Sequence, residues 1–163
     1  MTSKHQVLIV DDEPLNVKLF ASILSVDGYD INRAFNGEEA LEKVNEACPD
    51  LILLDIMMPG IDGFEVTRRL KGCAETKDIP IILITASDNA DYKVIGHEAG
   101  ADEFLNKPVK APELKSRVKS LLRTKECQDR LKRQKEADID CGCDGNEKEF
   151  MAENDRSLVL LAF

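Results

Sequence analysis

Three runs of four consecutive apolar residues constrain this chain most: Val7-Leu8-Ile9-Val10, Leu51-Ile52-Leu53-Leu54 and Ile81-Ile82-Leu83-Ile84. Each is about one strand long and is bounded by Asp, Pro or Thr. Apolar residues at successive positions require burial on both faces, as in a parallel sheet covered by helices. Two weaker segments, Asp30-Ile31-Asn32-Arg33-Ala34 and Glu103-Phe104-Leu105, fit lateral strands.

Helical periodicity fills the intervals. Leu15, Leu19, Ile23 and Val26 repeat at three- or four-residue spacing, with Pro14 near the first turn and Gly28 as a stop. Ala40, Leu41, Val44 and Ala47 follow Gly37, and Phe64, Val66 and Leu70 run up to Gly72. Val94, Ile95 and Ala99 end at Gly100, and Leu114, Val118, Leu121 and Leu122 form a fifth helix. Alternating strands and helices in this number predict a doubly wound open α/β sheet with five helices.

Composition narrows the class. The 163 residues suffice for one domain and a modest extension. Asp and Glu number 31 against 22 Lys and Arg, a net charge of −9, which argues against direct nucleic-acid binding by the surface. No apolar run approaches the roughly 18–20 residues that cross a bilayer. The opening Met1-Thr2-Ser3-Lys4-His5-Gln6 leads into only four apolar residues, so no signal peptide is expected. Five cysteines without an export signal read as reduced cytosolic thiols. The expected location is cytoplasmic, with no membrane association.

Ligands of open α/β sheets bind beyond the carboxyl ends of the strands. The residues there are Asp11, Asp12 and Glu13 after the first strand, Asp55 after the third, Thr85 after the fourth and Lys107-Pro108 after the fifth. Carboxylates converging on one point repel each other and call for a hard cation; Mg²⁺ suits one or two carboxylates plus a phosphoryl substrate. A carboxylate can then act as nucleophile toward phosphorus, while a Lys ammonium and a Thr hydroxyl stabilise the transferred oxygens. Singly, each residue has a plainer explanation, since an Asp after a strand is often a turn or helix-capping residue. Together, in this order, they favour chemistry.

Val-Asp-Asp-Glu at 10–13, Leu-Asp-Ile-Met-Met-Pro-Gly at 54–60 with Asp62-Gly63, Ile-Thr-Ala at 84–86 and Leu-Asn-Lys-Pro at 105–108 resemble the receiver domain of bacterial response regulators. The resemblance covers residue 5 to about 123 and implies a flavodoxin-like sheet in the order 2-1-3-4-5. It implies that Asp55 accepts the phosphoryl group. Asp12 holds Mg²⁺ directly, Asp11 contributes mainly through water, and the Met57 backbone carbonyl completes the protein's share of the metal shell. Lys107 pairs with the phosphoryl group, across a peptide bond to Pro108 that is often cis in the family. Thr85 hydrogen-bonds a phosphoryl oxygen, and Phe104 stands where the family places a Tyr or Phe that rotates inward. Gly60 and Gly63 read as turn glycines, and His97 as a surface residue.

Other chemistries fit less well. A haloacid-dehalogenase-type phosphatase needs a second carboxylate two residues after its nucleophile, where this chain has Met57. A flavodoxin-like electron carrier needs a hydroxyl- and Gly-rich loop where Asp11-Asp12-Glu13-Pro14 stands. No P-loop or Rossmann glycine fingerprint is present.

The expected organisation is a receiver domain over 1–123, a charged helical extension or linker over 124–137, and a disordered tail over 138–163 ending in an apolar segment. The extension resembles the connector after the first receiver of regulators that end in a diguanylate cyclase domain. Cys141-Gly-Cys143 lacks a second pair at zinc-ligand spacing and is poorly placed for a relaxed disulfide. The segment 157–163 either packs on the receiver, mediates association or begins a further domain.

The resemblance implies phosphotransfer from a sensor histidine kinase or histidine phosphotransfer protein onto Asp55. Beyond that Mg²⁺-dependent self-phosphorylation and self-dephosphorylation, the chain is not expected to be an enzyme. A downstream protein target is expected on the fourth helix, fifth strand and fifth helix, with phosphorylation-dependent homodimerisation as a further outcome. The alternative is the regulatory input domain of a larger output enzyme, such as a diguanylate cyclase, whose output domain is absent from this chain.

Overall fold

A computed structural model describes residues 4–140. Five strands, β1 (Gln6–Val10), β2 (Asp30–Ala34), β3 (Leu51–Asp55), β4 (Ile81–Thr85) and β5 (Glu103–Asn106), alternate with five helices. The helices are α1 (Pro14–Ser25), α2 (Gly37–Glu46), α3 (Gly63–Lys71), α4 (Ala90–Ala99) and α5 (Ala111–Asp140). The strands form one parallel sheet in the order β2-β1-β3-β4-β5. The three apolar runs are its inner strands, and the two weaker segments are its edges.

Strand alternation divides the runs between two cores. Leu8, Val10, Ile52, Leu54, Ile81 and Leu83 face α2, α3 and α4, while Val7, Ile9, Leu51, Leu53, Ile82 and Ile84 face α1 and α5. Every one of these side chains is at most 1% exposed, as two-sided burial requires.

Local signals set the helix ends. Pro14 opens α1. The side chains of Asn36, Asp62 and Asn89 cap α2, α3 and α4 by accepting from Glu39, Glu65 and Asp91 N–H groups at 2.7, 2.9 and 3.0 Å. Gly100 ends α4 in the left-handed region, at φ +104°.

Periodicity misread one helix face. The residues expected to point α1 at the core include Leu15, Leu19 and Val26, which are 72%, 53% and 77% exposed. Val17, Phe20, Ala21 and Leu24 are buried instead. Both sets have helical spacing; the second carries the helix's aromatic residue and meets the sheet, leaving the first in water. Val94 on α4 is likewise exposed, and the buried residues of that helix are Gly96 and Ala99.

The chain divides into two compact units, Met1–Lys125 and Glu126–Phe163. Within the described part of the second, α5 continues to Asp140, with Leu131 exposed among charged neighbours. Residues 141–163, which include Cys141, Cys143 and the apolar segment 157–163, lie outside the described residues. Among the described residues, no helix is long and apolar enough to cross a membrane.

Candidate functional site

Parallel register brings the ends of β1, β3, β4 and β5 to one edge, with Val10 opposite Leu54, Asp55 opposite Ile84 and Thr85 opposite Asn106. Where the apolar runs stop, polar residues begin. Asp11 leaves β1 and is 1% exposed, Asp55 closes β3 at 5%, and Thr85 closes β4 at 1%. Asp12 is exposed beside them.

Carboxylate oxygens of Asp11, Asp12 and Asp55 all lie within 4.8 Å of one another, a group that can hold a metal ion. Lys107 reaches in from the end of β5. Its Nζ donates to Asp11 Oδ2 at 3.2 Å and lies 3.6 Å from Asp55 Oδ1. Asp11 is further fixed by the Glu13 N–H, which donates to Oδ1 at 2.9 Å. One ammonium thus faces two buried carboxylates, with a third nearby.

Burial and that shortage of positive charge together set the electrostatics. Burial, and then the neighbouring Asp11 carboxylate, push the Asp55 pKa from 3.8 up to about 6. Lys107 pulls it down, Asp12 pushes it up, and the Met57 backbone N–H, bonded to the carboxylate, lowers it slightly. For Lys107, burial disfavours the charge, but Asp55 and Asp11 outweigh it and the ammonium is held above its usual range.

The remaining residues surround this group. Lys107 N–H donates to the Thr85 carbonyl at 2.7 Å, and the Lys107–Pro108 peptide is cis. The Thr85 hydroxyl oxygen accepts from Ser87 N–H at 3.1 Å, joining the end of β4 to the loop before α4. Met57 follows β3 and is 61% exposed. Phe104 is set apart from the carboxylates, half-buried in the core layer that contains α4.

The reading of Gly63 as a turn glycine is corrected. Gly60 has a positive φ of +80°, but Gly63 does not. A Cβ on Gly63 would lie 2.5 Å from the Asp55 carbonyl oxygen and 2.8 Å from the Ile56 Cα. Gly63 lets the first turn of α3 press against the end of β3, so it supports the Asp55 backbone from behind. Its position directly after the helix-capping Asp62 is the sequence signal for a helix start that approaches closely.

A family model of the response regulator receiver domain matches residues 7–119. The chain belongs to the response regulator receiver family. It is 45% identical over 132 residues to the response regulator PleD of Caulobacter vibrioides, covering 81% of this chain and 29% of PleD. It is 43% identical over 121 residues to the alkaline phosphatase synthesis transcriptional regulatory protein PhoP of Bacillus subtilis, covering 74% of this chain and 50% of PhoP. The chain therefore spans half or less of these curated relatives. Among solved structures, the Vibrio cholerae chemotaxis protein CheY4 shares the fold with a TM-score of 0.70 at 29% identity, covering 73% of this chain and 99% of that one.

Proposed function

We propose that this receiver accepts a phosphoryl group on Asp55 from a phosphohistidine of a sensor histidine kinase or phosphotransfer protein in the cytoplasm. An Asp55 oxygen attacks phosphorus, the P–N bond breaks, and the imidazole leaves with the electron pair and takes up a proton. The product is an acyl phosphate. Water later attacks the same phosphorus, releasing inorganic phosphate and restoring the carboxylate. The observation that carries this reading is Asp55 at the end of a central strand, crowded by Asp11 and Asp12 and faced by Lys107 at 3.6 Å.

Three carboxylates served by one ammonium form a donor set that fits Mg²⁺. Asp12 and Asp55 would hold it directly with the Met57 carbonyl, and Asp11 mainly through water. When bound, Mg²⁺ neutralises charge on the carboxylates and on the incoming phosphoryl oxygens. Lys107 holds the phosphoryl group by its ammonium, and the Thr85 hydroxyl donates a hydrogen bond to it. That bond draws the loop before α4 toward the site, because Ser87 N–H is fastened to the same hydroxyl. Phe104 responds, and the face made by α4, β5 and α5 changes its affinity for a downstream protein or for a second copy of the chain. A cleft of about 600 Å³ on that face runs from Lys93 and His97 past Phe104 to Lys107.

Incubation with Mg²⁺ and acetyl phosphate, or with a phosphorylated histidine kinase, should label the protein once, in a form labile to hydroxylamine. Chelator should abolish the label, and Asp55→Asn should not acquire it. Equal labelling of that variant would move the acceptor elsewhere. A second reading, the regulatory input region of a longer output protein, is favoured by the 29% and 50% coverage of PleD and PhoP. The reading frame beyond Phe163 decides it: a following domain-length sequence would replace action by protein contact alone.

A further inference from the structure

Gly96 sits inside α4, on its buried face, in an ordinary helical conformation. Glycine there costs roughly 1 kcal/mol relative to alanine, so an interior helical glycine calls for a packing or functional reason. The reason is the Phe104 ring. A Cβ on Gly96 would lie 1.9 Å from Phe104 Cζ, 2.7 Å from Cε2 and 2.9 Å from Cε1. No heavy atom tolerates that approach. The neighbouring His97 ring stands 5.4 Å from the Phe104 ring, tilted by 54°, and forms a second wall. The ring therefore occupies the volume of an absent side chain, between two consecutive residues of α4.

We propose that Gly96 is a positioning residue: its missing side chain forms a seat that fixes the Phe104 ring and ties the ring's position to that of α4. Phe104 is rooted on β5 opposite Leu83, in the middle of the sheet's last pairing. The seat is rooted on a helix whose first turn is capped by Asn89. Asn89 N–H donates to Ser87 Oγ at 3.3 Å, and Ser87 N–H donates to the Thr85 hydroxyl. Each link from Thr85 to the seat is thus a named contact. Movement of α4 relative to β5 must either carry the ring along or expel it, because the ring and a displaced helix backbone cannot share the volume. This goes beyond assigning Phe104 to the switch and, in its functional part, rests on that assignment.

The test uses the full chain labelled with ring-¹³C phenylalanine, which adds no atom to the ring tip, with the Phe104 resonances assigned by their loss in Phe104→Leu. Gly96→Ala should displace the Phe104 ring resonances of the free protein and remove most of their change on adding Mg²⁺ and beryllofluoride. Labelling by acetyl phosphate should persist, since Gly96 touches none of the carboxylates. Thermal unfolding supplies an independent sign. Gly96→Ala should lower Tm in the parent, yet in a Phe104→Ala background it should raise Tm by about 2–4 °C, the gain of helix propensity once the ring is gone. Unchanged free-protein resonances in Gly96→Ala overturn the seat, whatever the Tm. If the variant displaces the resonances but the parent's resonances ignore beryllofluoride, the seat stands and the reading of Phe104 as a switch fails.

Discussion

At the amino end of the sheet, Asp50 accepts Gln6 N–H at 2.8 Å and lies 3.4 Å from Lys125 Nζ. Asp102, at the same end, accepts Ile81 N–H and Lys71 Nζ, both at 2.9 Å. At the carboxyl end, Asp11, Asp12 and Asp55 crowd together, and Lys107 is shared between two of them. The same residue type thus serves opposite ends of the same strands. At the amino end each aspartate has a strand amide and an ammonium, and it fastens one strand start to a neighbouring element. At the carboxyl end the carboxylates outnumber their partners, and burial, with that crowding added to it, raises the Asp55 pKa to about 6. A fold stabilised at one end can carry this unfavourable grouping at the other, where the Mg²⁺ of the proposed function would relieve it.

Aspartate substitutions at the two ends should break this symmetry most sharply. Asp55→Asn should abolish phosphoryl labelling, while Asp50→Asn should leave it intact; parallel acetyl phosphate reactions on the two variants measure this. Loss of labelling in both would mean that the ends are not independent.

The next effect concerns pH. Asp55 binds its proton more tightly folded than unfolded, so its contribution to stability is fully present below about pH 4 and is lost as pH rises through 6. In chelator at neutral pH, Asp55→Asn should therefore be more stable than the parent, by roughly 3 kcal/mol. Urea denaturation at pH 7.5 and below pH 4 should show that gap closing in acid. A gap independent of pH would place its origin outside the titration of Asp55.

Thr85→Ala separates capture of phosphate from its transmission. Labelling should persist, because Asp55 and Lys107 remain. Under the proposed function the variant would lack one charge-assisted hydrogen bond made only in the phosphorylated state, worth roughly 1.5–3 kcal/mol, about the size of a coupling energy. Amide exchange over residues 85–110, with and without beryllofluoride, should lose most of the parent's change in protection. An undiminished change would route the switch around this hydroxyl.

The smallest expected effect lies at the amino end. Asp102→Ala removes the acceptor of Ile81 N–H and of the half-buried Lys71 ammonium, and should cost about 1–2 kcal/mol in denaturant unfolding. Its labelling should equal the parent's. A labelling defect of the size seen for a carboxyl-end aspartate would erase the contrast between the two ends.

Much of this was legible in the residues themselves. Short two-sided apolar runs bounded by Asp, Pro or Thr read as inner strands, so Leu51–Leu54 and Ile81–Ile84 outline the sheet before any contact is known. The polar residue that follows each run is thereby placed at the ligand end, which is why Asp11, Asp55, Thr85 and Lys107 stood out together. Apolar periodicity was a weaker guide wherever a helix offers two stripes. On α1, Leu15 and Leu19 have the same spacing as Val17, Phe20, Ala21 and Leu24, and only docking on the sheet selects between them.

Glycines divide in the same way. The positive φ of Gly28 and Gly100 ends a helix by a local rule that needs no knowledge of distant residues. Gly63 and Gly96 are glycine for a different reason: each occupies a place where backbone or ring from a distant strand fills the space of a side chain. The sequence by itself determined the strands, their ends and the chemical character of the carboxyl edge, because burial period and residue chemistry are local properties of the chain. The tertiary structure alone decided which stripe of α1 meets the sheet, how Lys107 is divided between Asp11 and Asp55, and which glycines are steric necessities. Those depend on atoms tens of residues apart excluding one another or sharing a charge, and no local pattern encodes such a distance.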